Sequence, residues 1–209
     1  ARVVIICANG DTFCAGNDLD DFSVGDGNGD GTGDGPTPTL RFLRALARAT
    51  VPVVAAVHGA AVGVGTTMLL HCDLVYAAPD ARLRLPFVDL GLVPEAGSSL
   101  LLPQLVGYQR AAEILYTGRF VGAHEAHELG LVTAVVPREE LAARAEEAAR
   151  GLAAKPPVAL RRTKALLRSS STSVAERMAE EGRAFAAQLA GPEFREASAA
   201  FFEKRPPRF

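Results

Sequence analysis

The sequence predicts an α/β fold, and three observations carry that prediction. Pro52 to Asp73, PVVAAVHGAAVGVGTTMLLHCD, reads as a strand buried on both faces (Val53 to Val57), a turn punctuated by Gly59, Gly63 and Gly65, and an apolar helix resuming at Thr66 to Leu70. Leu40 to Ala49, just upstream, spaces its apolar residues as an amphipathic helix, so strand, helix and strand alternate along the chain. The last third is helical, built from alanine- and leucine-rich runs separated by prolines.

Composition narrows the functional classes. With 209 residues, 48% of them hydrophobic, the chain can bury a substantial core as one domain with a helical extension. The net charge is −2 and the basic residues are dispersed, which argues against a nucleic-acid partner. No apolar run reaches the roughly 20 residues that span a bilayer, and the N-terminus lacks a signal-peptide pattern, so no membrane partner and a cytoplasmic location are expected. Cys7, Cys14 and Cys72 sit in or beside apolar strands and are expected as small buried thiols.

Taken in order, Arg2 to Ala8 is a strand, and Asn9-Gly10-Asp11 a turn. Residues 13–19, FCAGNDL, are small and then polar, a place where backbone could meet a ligand. The glycine-rich segment at 24–39 is a surface loop. Asp26, Asn28, Asp30 and Gly31 imitate the start of a calcium loop, but Thr37 stands where its bidentate glutamate belongs, and no metal is expected. Leu74 to Ala77 and Arg82 to Leu85 are further short strands. Glu95 follows Pro94 ahead of an apolar helix ending near Val106, where a first-turn acid complementing the helix dipole and a functional carboxylate are both open. Helices follow over Arg110 to Thr117 and His124 to Gly130. His124 and His127 stand three apart rather than at the zinc-protease spacing, and are read as solvated helix residues. Leu131 to Val136 is the last strand, before helices over Glu139 to Ala154, Pro157 to Leu167 and Val174 to Leu189. Residues 1–137 form the core and 138–209 the helical region.

The turn after Val53 to Val57 offers unpaired N–H groups to an anion, a phosphate or an oxyanion alike. Its chemistry narrows only by resemblance. FCAGNDL at 13–19, residues 52–77, LPFVDLGLVPEAGSSLLLPQLVG at 85–107, TGRFVGAHEAHELGLVTAVVP at 117–137 and the closing FFEKRPPRF resemble the crotonase, or enoyl-CoA hydratase/isomerase, superfamily, most closely peroxisomal-type Δ3-Δ2-enoyl-CoA isomerases. The resemblance implies a spiral of ββα units with a helical C-terminal trimerisation region, a homotrimer or hexamer, and a segment ahead of Val3 that this sequence does not include.

It also implies site residues. The backbone N–H groups of Asn17 and Val64 match the family's pair of donors to the thioester oxygen. Ala15, Gly16, Asn17, Asp18 and Leu19, with Gly63, Val64, Gly65 and Phe87, match substrate-binding positions. Hydratases carry two glutamates where this sequence has Thr67 and Phe87, neither able to act as acid or base, whereas Glu95 matches the isomerases' single carboxylate. The implied activity is the shift of a double bond from C3 to C2 of an enoyl-CoA, with coenzyme A part of the substrate and no separate cofactor. Another crotonase reaction, such as enoyl-CoA hydration, and a non-catalytic acyl-CoA-binding subunit are the alternatives.

Overall fold

The chain leaves one β-sheet, visits a second, forms a helix and returns, and this alternation recurs along the sequence. The computed structural model describes residues 1–16, 38–169 and 191–209. The glycine loop, the expected helix over Val174 to Leu189, and Asn17, Asp18 and Leu19 lie outside the described residues. Two compact units are present: 5–49 with 53–148, and 1–4 with 50–52 and 149–209.

In the larger unit, β1 (Val4–Ile6), β2 (Val53–Val57), β4 (Leu74–Ala77) and β7 (Ala134–Val135) form a sheet in the order β1-β2-β4-β7. β2 pairs with β4 in parallel, and so does β4 with β7. Every residue of β2 is buried, as the unbroken apolar run requires of an interior strand. A second sheet holds β3 (Ala60–Val62), β5 (Arg82–Arg84) and β6 (Val121–Gly122), with β3 and β5 parallel and β5 and β6 antiparallel. β2 and β3 are followed by a one-turn helix, α2 (Val64–Thr67), while β4 and β5 are followed by α3 (Ser98–Val106). These are the ββα repeats implied by the resemblance. Helix α1 (Pro38–Ala47) turns Leu43 and Leu46 into the core; α4 (Tyr108–Thr117) and α5 (Ala123–Glu128) bury Ala111, Ile114, Leu115, Ala123 and Ala126.

Several elements differ from expectation. The segment between Val57 and Thr66 is a strand as well as a turn: Ala60 O accepts the N–H groups of Phe13 and Cys14, and Val62 N donates to Cys14 O at 2.9 Å. The apolar helix of 66–70 is instead the four residues of α2 running into a 3-10 turn, Met68–His71. Thr66 explains the interruption, because its hydroxyl donates to Ala61 O at 2.6 Å and accepts from Arg84 N, which ties the helix start to the second sheet. β7 is shorter than 131–136, since the N–H groups of Leu131 and Val132 turn back to Ala126 O and close α5. β1 spans Val4–Ile6 rather than 2–8. Cys7 is exposed and Cys14 and Cys72 are half-buried, all three as free thiols, so none is the fully buried thiol expected.

In the smaller unit, α6 (Arg138–Ala153), which begins in the larger unit, gives way to α7 (Pro157–Arg168), followed in the described chain by α8 (Pro192–Phe202). α7 has no cap of its own at Pro156; the Glu193 carboxylate accepts from Val158 N at 2.8 Å and Ala159 N at 3.0 Å. Lys164, almost fully buried, donates from Nζ to Val51 O at 2.7 Å.

The switch between sheets rests on Gly59. Its φ is +58°, and a Cβ there would lie 1.9 Å from Asp11 O. Gly59→Ala is expected to cost about 2 kcal/mol or more in denaturant unfolding, since a main-chain oxygen must move and the residue stays left-handed.

Candidate active site

The N–H of Val64 is the first of a helix and has no acceptor within it. Gly63 fixes its direction: the Gly63 N–H donates to Arg84 O at 3.0 Å, and its carbonyl accepts from the N–H groups of Thr66 and Thr67, each at 2.9 Å. The turn is held against the segment after β1 by the bare backbone of Gly65, where a Cβ would meet Cys14 O at 2.6 Å and Cys14 Cβ at 2.8 Å. That contact brings Ala15 and Gly16 beside Gly63 and Val64 on one side of a cleft of about 350 Å³. Gly65 packs behind this wall and does not line the cleft.

The opposite wall comes from the loop between β5 and α3. Pro86, Phe87, Leu90, Leu92 and Val93 make it apolar, and Leu90, Leu92 and Val93 are largely exposed around it. An apolar cleft with a few polar groups suits an acyl chain whose one end reacts. The polar groups are Arg84, Asp89 and Glu95. Arg84 donates to Asp89 Oδ2 at 3.0 Å and to Gly118 O at 2.6 Å, and its guanidinium lies over the Phe120 ring at 5.1 Å. Asp89 is therefore engaged, while Glu95 has no cation against it among the described contacts.

Glu95 stands before α3, not within it. The helix is capped at Gly97 and carries no acid in its first turn, so the dipole-complementing role left open by the sequence is not the one this residue has. Ala96 departs from the helix with φ +55°, in the left-handed region, which costs an alanine roughly 1 kcal/mol or more. Ser98 holds the peptide: its N–H and hydroxyl both donate to Glu95 O, at 2.9 and 2.6 Å. The half-buried Glu95 carboxyl is pushed up from the ordinary carboxylate value by loss of hydration; Thr67 partly opposes this, with Oγ1 3.5 Å from Glu95 Oε1, a long hydrogen bond. Thr67 is fully buried and Phe87 nearly so.

Of the residues singled out from sequence, Ala15, Gly16, Gly63, Val64, Phe87 and Glu95 come together at one cleft. Asn17, Asp18 and Leu19 follow Gly16 but lie outside the described residues. Sequence reasoning missed Arg84, Asp89 and Ser98; the alternation of Arg82 and Arg84 about buried Leu83 was the available signal for the first. His124 and His127 lie on α5, and His127 Nδ1 bonds to Val132 O at 3.0 Å. Among the described residues, no three His, Cys, Asp or Glu side chains cluster as a metal site.

The cleft therefore sets apolar walls and the Val64 turn beside a carboxyl raised by burial. Comparison with known proteins places the chain more closely. Residues 1–209 match the enoyl-CoA hydratase/isomerase family model. A 1,2-epoxyphenylacetyl-CoA isomerase of Escherichia coli (strain K12) is 36% identical over 219 residues, covering 100% of this chain and 80% of that protein. Among solved structures, a Magnetospirillum magneticum AMB-1 protein whose name pairs enoyl-CoA hydratase with carnithine racemase superposes with a TM-score of 0.92 at 46% identity, covering 100% of this chain and 80% of its own. Enoyl-CoA hydratase from Bacillus anthracis superposes at 0.86 with 33% identity, covering 100% and 81%. The chain belongs to the enoyl-CoA hydratase/isomerase family and has its crotonase fold.

The raised Glu95 pKa sets a stability difference. Because the native state holds this proton more tightly than the unfolded chain, stability is greatest below the unfolded value near 4.5 and falls as pH rises through the window up to the folded value. Paired unfolding curves of wild type and Glu95→Gln, measured from acid to neutral pH, are expected to diverge in that window, with the glutamine variant the more stable at neutral pH.

Proposed function

We propose that this family member is an enoyl-CoA isomerase that moves a double bond from C3 to C2 of an acyl-CoA thioester. The observation that carries the reading is the environment of the cleft's carboxylates: Asp89 is bound by Arg84, and Glu95 alone is half-buried, raised and close to the Val64 turn. Thr67 and Phe87 fill the two positions where hydratases carry glutamates, so the paired acid and base for adding water are missing.

In this mechanism the thioester oxygen sits against the Val64 N–H, with the Asn17 N–H as second donor. Glu95 removes a proton from C2, the negative charge delocalises onto that oxygen as a dienolate, and the same carboxyl returns the proton at C4. One proton leaves and one is added, no electron pair leaves the substrate, and no redox cofactor is required. A donor fixed by the Gly63 turn stabilises the charge without reorganising, and removal of such a donor costs about 2.7–4 kcal/mol in other enzymes. The upward pKa shift makes Glu95 a stronger base than an ordinary carboxylate while leaving it able to carry the proton between carbons. The apolar wall of Phe87, Leu90 and Leu92 holds the acyl chain, as in the breakdown of fatty or related acyl-CoA.

The purified protein, incubated with 3-enoyl-CoA and separately with 2-enoyl-CoA, is expected to convert the first to the conjugated 2-enoyl thioester and to add no water to the second. Glu95→Gln is expected to lose the isomerisation by roughly a hundredfold or more; isomerase activity surviving that change overturns the reading, and hydration of 2-enoyl-CoA replaces it.

The acid limb of kcat/KM is expected above the ordinary carboxylate value, because only ionised Glu95 accepts the C2 proton. Thr67→Val removes the hydrogen bond that favours the ionised form and should move that limb to higher pH.

A further inference from the structure

The segment from Val64 to His71 is continuous helical backbone, four residues of α2 followed by four of 3-10 turn. Its first residue presents the cleft's N–H donor and its fourth, Thr67, meets the Glu95 carboxylate. Its last residue reaches the same loop: His71 Nε2 lies 2.8 Å from Ala96 O. A carbonyl oxygen only accepts, so this ring nitrogen carries the proton and donates. The accepting carbonyl belongs to the residue directly after Glu95, the alanine whose φ is +55°. A left-handed alanine persists only where its surroundings hold it, and here Ser98 grips one side of the residue and His71 the other. His71 does not line the cleft.

We infer that His71 is a positioning residue, which holds the left-handed Ala96 peptide through its Nε2–H and thereby sets Glu95 at its working distance from the Val64 donor. The inference rests on the reading of Glu95 as the proton-transferring group. In physical terms the run 64–71 acts as a spacer: one end fixes where the oxyanion is stabilised, the other where the base stands. Its backbone hydrogen bonds make that spacing stiff. Loss of the His71 contact frees Ala96 to leave the left-handed region, and the carboxylate moves with it. Small misplacements of a catalytic group cost far more in rate than in binding.

The test is a kinetic series on 3-enoyl-CoA. His71→Leu, which removes the donor, is expected to lower kcat by roughly tenfold or more with KM within about twofold. His71→Gln, whose side-chain nitrogen reaches about as far as Nε2, is expected to restore kcat to within about threefold of wild type, and the shorter His71→Asn is expected not to. In a Glu95→Gln background, His71→Leu should cause no further loss, because a residue acting through Glu95 has nothing left to position. Amide hydrogen exchange gives a readout independent of turnover: in His71→Leu the segment 95–98 should exchange faster while 53–57 keeps its protection. An unchanged kcat in His71→Leu, a loss confined to KM, a glutamine variant no better than asparagine, or faster exchange across both segments overturns the inference. If His71→Leu does not fold, the glutamine and asparagine comparison decides. Wild type that fails to isomerise 3-enoyl-CoA, or Glu95→Gln that retains the activity, overturns the isomerase reading instead, and the exchange experiment still decides whether His71 holds the loop.

Discussion

The polar side of the cleft depends on one backbone constraint: the chain leaving β3 must reverse at Gly63 and enter a helix at once, while Gly65 lies against Cys14 with no room for a side chain. The reversal sends the Gly63 N–H to Arg84 O and its carbonyl to Thr66 and Thr67, which leaves Val64 as the first residue of the helix, with no acceptor for its N–H inside it. The close approach does the rest, bringing Ala15 and Gly16 alongside. A one-turn helix has little macrodipole, so the donor strength of this corner comes from the N–H itself and from its rigidity. Rigidity is what such a donor needs, because a group that must rotate toward a developing charge spends part of the stabilisation on moving.

Among the described residues two carboxylates, Asp89 and Glu95, line the cleft, and their surroundings separate them. Asp89 faces a guanidinium, whereas Glu95 loses hydration and gains only a long hydrogen bond from Thr67. Exposure limits what the Arg84 pair contributes to stability, since both side chains remain partly in water. Its consequence is local: among the described residues of the cleft, Glu95 is the carboxylate without a cation against it. Thr67 matters twice here. On the proposed reading it stands where a hydratase carries an acid or base, and its hydroxyl keeps the Glu95 carboxyl from being raised further.

The sequence was most legible where burial leaves a long periodic mark. β2, interior to its sheet, matches the apolar run of Val53 to Val57 residue for residue, and α4 to α7 lie within a residue or two of the spans read from apolar spacing and prolines. Strands of two or three residues, such as β3 and β6, are too short to show a period of two, and the second sheet, which they form with β5, left no separate mark in the residue pattern. The site was legible by resemblance more than by physics. Ala15, Gly16, Gly63, Val64, Phe87 and Glu95 converge, but Pro94 ahead of Glu95 suggested a helix start, and only the left-handed Ala96 shows why the helix waits until Ser98. A positive φ at alanine has no signature in sequence, because glycine or asparagine ordinarily occupies such a position. Long-range partners such as Arg84 with Gly118 O are equally silent until the strands are placed.

Successive ββα repeats divide the labour of the site. The repeat containing β2 and β3 supplies the Val64 donor; the next, containing β4 and β5, supplies the loop with Phe87 and Glu95. Parallel pairing of β2 with β4 and of β3 with β5 fixes the two repeats against each other at both sheets. Side chains at 67, 87 and 95 can then change without disturbing the Val64 N–H, the proposed oxyanion donor. A donor common to many reactions and a carboxylate specific to each is the arrangement expected of a family whose members' names include both isomerases and hydratases. In this chain the loop before α3 carries the difference: a left-handed alanine follows a half-buried glutamate that lies beside a threonine, and on the proposed reading that carboxylate serves a reaction with a single proton carrier.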